Sequence, residues 1–294
     1  MEISLYNKQG MANEYIIRTK KFKTKKRLGQ NFLVSKEIID EILKNVSSED
    51  NILEIGAGAG FVTEKLVLKA KKVIAVEIDE NACNLLLNNL ARYKNFTLIH
   101  NDILKTDISE LFEKGQRIKI VANIPYYITT PILVHLLGEI DKINHKTRSA
   151  INEIILMVQY EVAKRIVADE NSKNKEYGLL SILSNFWAET EIIKKVSKKC
   201  FYPSPKVDSA LVKFKIKSEP KVPITPYLKQ VIKAAFSMRR KNIKNCLLAC
   251  GFVNVPDALQ QCGFNSNLRG ENLSVEDFYK LSLKLKRNED EIKS

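Results

Sequence analysis

Four apolar runs in this 294-residue sequence each give way to residue types that hold ligands. "NILEI" runs into "GAGAG" (Gly56, Gly58, Gly60), "KKVIAVE" closes on Glu77, "FTLIHN" runs into Asp102, and "IKIVA" runs into Asn123. Small residues at a first turn let a ligand approach the backbone, and an acid at the next tip can accept from ribose hydroxyls. Taken alone, such a turn serves tight strand–helix packing equally well. G-x-G-x-x-G is not what stands here, because Phe61 follows Gly60, so a dinucleotide fits poorly. With acids at two further tips, an adenosine ligand lacking a pyrophosphate is favoured. S-adenosylmethionine is the expected cofactor, with Asp102 accepting from its adenine amine and with a cationic sulfonium.

The fourth tip continues as "NIPYY", Asn123 to Tyr127. If the methyl acceptor is the exocyclic amine of a nucleobase, its lone pair is delocalised into the ring. The Asn123 side-chain carbonyl and the Ile124 backbone carbonyl, accepting its two N–H groups, would turn that lone pair toward a methyl donor. Pro125 lacks an N–H and fixes φ, which stiffens the turn. Tyr126 offers a face on which an unstacked base can lie. In isolation these residues would more often be a proline turn with core aromatics. Three aligned tips before them reverse that balance.

The elements that must position these tips follow from alternation. "SKEIIDEILKNV" (Ser35–Val46) begins with an N-cap serine and has helical spacing. Strand-like runs at 51–56, 71–79, 96–102, 118–123 and 154–159 alternate with helix-like runs at 61–70 and 80–93. Strand, helix, strand at this spacing predicts a doubly wound α/β domain with a mostly parallel sheet. "LLSILSNFWAETEIIKKV" (Leu179–Val196) and "SALVKFKI" (Ser209–Ile216) flank the proline-rich "FYPSPKV". Both read as the antiparallel edge of that sheet. "EPKVPITP", with three prolines in eight residues, reads as a linker, and the chain beyond it as helical. The expected division is a basic arm at 1–27, the α/β domain at 28–218, the linker at 219–226 and a small helical domain at 227–294.

Lys and Arg total 48 against 34 Asp and Glu, a net charge of +14, which attracts polyanions and favours a nucleic-acid partner. "RTKKFKTKKR" (Arg18–Arg27) holds seven basic residues and no acid; alone, it reads equally as a solvated tail. "VIKAAFSMRRKNIKNCLLACG" (Val231–Gly251) shows helical periodicity, with Ile232, Ala235, Phe236, Ile243 and Leu247 on one side. Its other side carries Arg239, Arg240 and Lys241, which suits RNA or a membrane surface. No apolar stretch approaches a membrane span, and no leader-like start points to export, so a cytoplasmic protein is expected. Five scattered cysteines with no CxxC pair, and three histidines, make a metal site a poor expectation.

As a set, "LGQNFL" (Leu28–Leu33), "EIGAGAG", "VEID", "ND", "NIPYYITTPIL", "FYPSPKVDSALV", "AFSMRRKNIKN" and "LRGENLS" (Leu268–Ser274) resemble the ribosomal RNA adenine dimethyltransferases in order and spacing. The resemblance runs from about Lys25 to about Leu283 and is to the small-subunit branch. It implies a seven-stranded class I methyltransferase sheet with one antiparallel strand, and S-adenosylmethionine as methyl donor. Two adjacent adenosines near the 3′ end of 16S rRNA, within a small-subunit precursor, would be the substrate of a monomeric enzyme. It implies cofactor contacts at Asn31, Leu33, Gly56, Glu77, Asp102 and Asn123, and a target-base pocket at Asn123–Tyr126. Ile124 stands where Leu is commoner in the family; acting through its carbonyl, it changes little. Macrolide-resistance methyltransferases of large-subunit rRNA share "NIPY" but usually lack the C-terminal pair of motifs. An RNA-binding assembly factor without turnover is an alternative of another class, and a DNA adenine methyltransferase fits less well because no separate DNA-reading domain is found.

Overall fold

Among the described residues, apolar runs alternating with amphipathic helices form nine strands, β1 (Phe32–Leu33), β2 (Asn51–Ile55), β3 (Lys72–Glu77), β4 (Phe96–His100), β5 (Ile118–Asn123), β6 (Ile151–Gln159), β7 (Ala188–Val196), β8 (Phe201–Tyr202) and β9 (Ser209–Ile216). The computed structural model describes residues 29–287 except 114, 173–175 and 239. The basic arm, Leu28 and Arg239 therefore lie outside the described residues. Seven strands form one sheet in the order β4-β3-β2-β5-β6-β9-β7, and β1 pairs with β8 in a small antiparallel ribbon. From β4 across to β6 every pairing is parallel, whereas β6 and β9 run antiparallel. The expected class I methyltransferase sheet is present.

Burial follows position in the sheet. β2 and β3 are buried on both faces except at their first residues, and β6 is buried through its centre, as parallel strands covered on both sides require. β4 at the edge is only half-buried. The helix Lys36–Lys44 lays Ile38, Ile39 and Ile42 into the core, a stripe set by its 3.6-residue period. At the start of the central strands Lys119 pairs with Asp50 (2.9 Å) and Glu153 (3.3 Å), and Lys213 also reaches Glu153 (3.1 Å). That charged network ties β2, β5, β6 and β9 together at the end opposite the glycine-rich turn.

The chain divides into two compact units. Of the described residues, one unit comprises those up to Leu136 with Lys146–Ala163 and Glu191–Ile216; the other comprises Leu137–His145, Lys164–Thr190 and those from Lys217 on. The helices after the linker are thus joined, in the second unit, by two segments from within the stretch assigned to the α/β domain.

Three sequence expectations change. Leu179–Val196 is not all sheet edge: Leu179–Trp187 is helix and only Ala188–Val196 is strand; six of the nine helical residues are buried, and a run buried on several sides carries no period that tells helix from strand. The helix expected across 61–70 is a single turn, Thr63–Leu66, between a glycine-rich entry and a short exit into β3. The basic helix expected across Val231–Gly251 is two helices, Leu228–Ala235 and Ile243–Ala249. Arg240 and Lys241 therefore lie in the exposed connection between them rather than on a helix face. Asn242 stops any continuous helix by capping the second one, its side chain accepting from the Asn245 N–H at 2.9 Å.

"LRGENLS" braces that connection from within the second unit. The Ile243 N–H donates to the Leu268 carbonyl at 2.7 Å. A Cβ on Gly270 would stand 2.7 Å from the Ala235 carbonyl oxygen, so only glycine fits there. Ser274 then caps Val275–Ser282 in a reciprocal capping box with Asp277.

Candidate active site

The parallel register places the four tips side by side. Ile55 is opposite Val76 on one side and Ala122 on the other, and Glu77 is opposite His100. Gly56, Glu77 and Asn123 therefore emerge together at the carboxyl ends of three adjacent strands, with Asp102 two residues beyond β4. They line a cavity of about 340 Å³, with Asn31, Leu33, Gly58, Ile124, Pro125 and Tyr126 also in its wall. Every residue expected at the cofactor and target-base positions lines this one cavity. Arg240 and Lys241 do not; they belong to the second unit.

Positive φ at Gly56 (+72°) and Gly58 (+55°) lets the chain turn sharply out of β2. A Cβ on Gly58 would meet the Phe32 ring at 2.8 Å, so the "QNFL" segment and the glycine turn fit only with no side chain between them. Glu77 holds the turn from the neighbouring strand. One of its oxygens accepts from the Gly58 N–H at 2.9 Å and the other from the Ile78 and Asp79 N–H groups, both at 2.9 Å. Burial raises its carboxyl above the ordinary glutamate range, and these three backbone donors oppose that rise. A carboxylate has about four acceptor positions, so capacity remains for a ligand hydroxyl.

Asn123 closes β5 with its amide oriented. Its NH₂ donates to the Asn31 carbonyl at 3.2 Å. A backbone carbonyl can only accept, so this contact assigns the amide and leaves Oδ1 as the acceptor. Among the described residues no hydrogen bond ends on the Ile124 carbonyl, the second acceptor expected of this turn. Tyr126 opens a single 3₁₀ turn. Its hydroxyl meets the Ser209 hydroxyl at 2.6 Å, and its carbonyl accepts from Thr129 Oγ1 at 3.0 Å. Asp102 caps the turn after β4, accepting from the Leu104 N–H at 3.0 Å.

Two polar residues of the cavity wall, Gln30 and Glu54, were not singled out from sequence. Gln30 donates to Asp79 at 2.7 Å, tying the "QNFL" segment to the loop after β3. That pairing spans 49 residues and has no local signal. Glu54 does have one: it is the lone acid inside an apolar run. It is 4% exposed, lines the cavity, and its Oε2 has no hydrogen-bond partner. Burial pushes its carboxyl up to about 8, and the like charge of Glu77 adds to the rise; the Thr63 hydroxyl is near enough to temper it but makes no hydrogen bond to it. Thr63 Oγ1, fully buried, also lacks a hydrogen-bond partner.

The residues present suit an S-adenosylmethionine-type ligand. The orphaned buried carboxyl of Glu54 can receive a cationic group by giving up its proton to become the counter-charge, and the glycine cradle admits backbone contact. Among the described residues no cluster of His, Cys, Asp and Glu could hold a metal ion, and no helix is long and apolar enough to cross a membrane.

Comparison with known proteins gives the same outline. The sequence profile of the family "Ribosomal RNA adenine dimethylase" matches residues 21–287. A Clostridium botulinum protein, "Ribosomal RNA small subunit methyltransferase A", is 42% identical over 278 residues, covering 92% of this chain and 98% of the relative. A Bacillus licheniformis protein of the same name is 40% identical over 279 residues, covering 90% and 92%. Among solved structures, a dimethyladenosine transferase from Plasmodium falciparum superposes with a TM-score of 0.70 at 27% identity, covering 85% of this chain and 95% of that one. The 23S rRNA methyltransferase ErmE superposes with a TM-score of 0.64 at 23% identity, over 86% of this chain and 99% of its own, a likeness of fold.

Proposed function

This chain belongs to the ribosomal RNA adenine dimethylase family, and from that premise we propose that it dimethylates the N6 amines of two adjacent adenosines near the 3′ end of 16S rRNA. The substrate is a small-subunit precursor particle, and the enzyme acts as a cytoplasmic monomer with S-adenosylmethionine as donor. The small-subunit assignment rests on the named relatives at about 40% identity over nine-tenths of the chain. A large-subunit target is supported only by fold-level likeness.

The observation that carries the reading is the tip of β5. Two acceptors, Asn123 Oδ1 and the Ile124 carbonyl, stand in the same cavity wall as Tyr126 and beside Gly56 and Glu77. When bound, S-adenosylmethionine supplies an electrophilic methyl on a sulfonium, whose sulfur leaves with the bonding pair as a thioether. Glu77 and Asp102 would hold its ribose and adenine, Gly56 and Gly58 its main-chain approach, and Glu54 a cationic group. Asn123 and Ile124 draw the two N–H bonds of the target amine toward themselves, so that its lone pair turns out of the ring plane. Tyr126 carries the base face. No general base is assigned, because a methylated ammonium is acidic enough to lose its proton to water.

Single-turnover transfer to small-subunit precursor particles at saturating cofactor tests this. Asn123→Ala is expected to slow transfer by about 100-fold or more, since a misplacement of about 1 Å costs that much; saturating cofactor keeps any loss of cofactor affinity out of that rate. Transfer at the parent rate would remove the β5 tip from the chemistry. Mapping N6-methylated adenines on both rRNAs in cells with and without the protein separates the small-subunit target from the large-subunit one.

A further inference from the structure

Tyr126 sits in a short turn, and a turn by itself is a loose mount for a stacking surface. The backbone there is tied by the Ile128 N–H to the Pro125 carbonyl (3.2 Å) and by Thr129 Oγ1 to the Tyr126 carbonyl. Neither bond restrains the ring. The far end of the ring is held by something else: its hydroxyl lies 2.6 Å from the hydroxyl of Ser209. Ser209 is fully buried, opens β9 and pairs in register with Gln159 of β6. The ladder fixes the Ser209 backbone, and its hydroxyl sits on a single short χ1 arm, so it is a firmer anchor than the turn that carries the ring.

We propose that Ser209 is a positioning residue for the methyl transfers, tethering the Tyr126 ring so that the base keeps its orientation through both of them. This rests on the function proposed above. The two transfers differ in their demand on the ring. The unmethylated amine can offer an N–H to each acceptor, whereas the N6-methyl amine has only one N–H left. In the second transfer the hydrogen-bond grip on the base is halved, and the stacked ring must supply more of the alignment. A ring freed from its tether therefore harms the second transfer more than the first.

The test is single-turnover transfer by the full chain to precursor particles, with mono- and dimethyladenosine resolved, for the parent, Ser209→Ala, Tyr126→Phe and the double variant. Each single variant removes the same hydroxyl pair from a different side. Tyr126→Phe touches no buried serine and so stands if Ser209→Ala folds poorly. Expected are a three- to tenfold slower second transfer in each, on the scale of one hydrogen bond, and a raised mono- to dimethyl ratio. The double variant should be no worse than either single one, and S-adenosylmethionine affinity by calorimetry should stay within twofold of the parent. Multiplying losses in the double variant, or parent-like product ratios in both single variants, would overturn the proposal. If the parent itself transfers no methyl while binding the cofactor, the functional reading fails, and the positioning role fails with it.

Discussion

At the scale of single residues, the carboxyl of Glu54 sets an unusual pH dependence. Its folded value of about 8 lies above the ordinary 4.5, so between those pH values the folded state holds a proton that the unfolded chain has lost. Stability contributed by this group is fully present below about pH 4.5 and is lost as pH rises through about 8, at up to about 1.4 kcal/mol per pH unit for one proton. Glu77, raised by burial as well, acts in the same direction. Replacing Glu54 with Gln keeps the shape and removes the titration. Urea unfolding of the ligand-free protein at pH 5 to 8.5 should show a steeper decline for the parent than for Glu54→Gln. Parallel curves would mean that Glu54 is ionised throughout.

At the scale of elements, the β2 turn works because two segments far apart in sequence meet where no side chain intervenes. Gly58→Ala puts a Cβ 2.8 Å from the Phe32 ring on a residue with φ of +55°, a left-handed conformation that costs a non-glycine residue roughly 1–2 kcal/mol. Phe32 must move, and with it the "QNFL" segment whose Asn31 carbonyl orients the Asn123 amide. The expected outcome is at least a tenfold loss in S-adenosylmethionine affinity by calorimetry, with a lower unfolding midpoint. Parent-like affinity would show that the turn tolerates a side chain.

At the scale of the whole molecule, a net charge of +14 favours phosphate contacts as a large share of affinity for the proposed RNA substrate. Arg240 and Lys241 are exposed in the connection between two helices, where long side chains can reach phosphates without a fixed helical register. Replacing Arg239, Arg240 and Lys241 with Ala should weaken RNA binding. The slope of log affinity against log salt should flatten by roughly one unit per lost phosphate contact, with cofactor affinity unchanged. An unaltered slope would assign RNA binding to other basic residues, the Arg18–Arg27 arm foremost among them.

The alternation of strands and helices, the residue types at the four strand tips and the "NIPYY" turn were legible in the sequence itself. A strand buried on both faces must be an apolar run, and a turn hugging a ligand must be small or rigid. Those are local demands written into local residue types. Tertiary structure alone decided the rest. The helix Leu179–Trp187 hides in a run apolar enough to read as strand, because burial on several sides erases the periodicity that separates the two. The break between Ala235 and Ile243 combines a local cap at Asn242 with a brace from Leu268 and Gly270, and the brace lies in no window of the sequence. The same holds for the Ser209 tether, 83 residues from Tyr126, and for the Gln30–Asp79 bond: hydrogen bonds between distant residues depend on where the sheet places them, and that placement belongs to the whole fold.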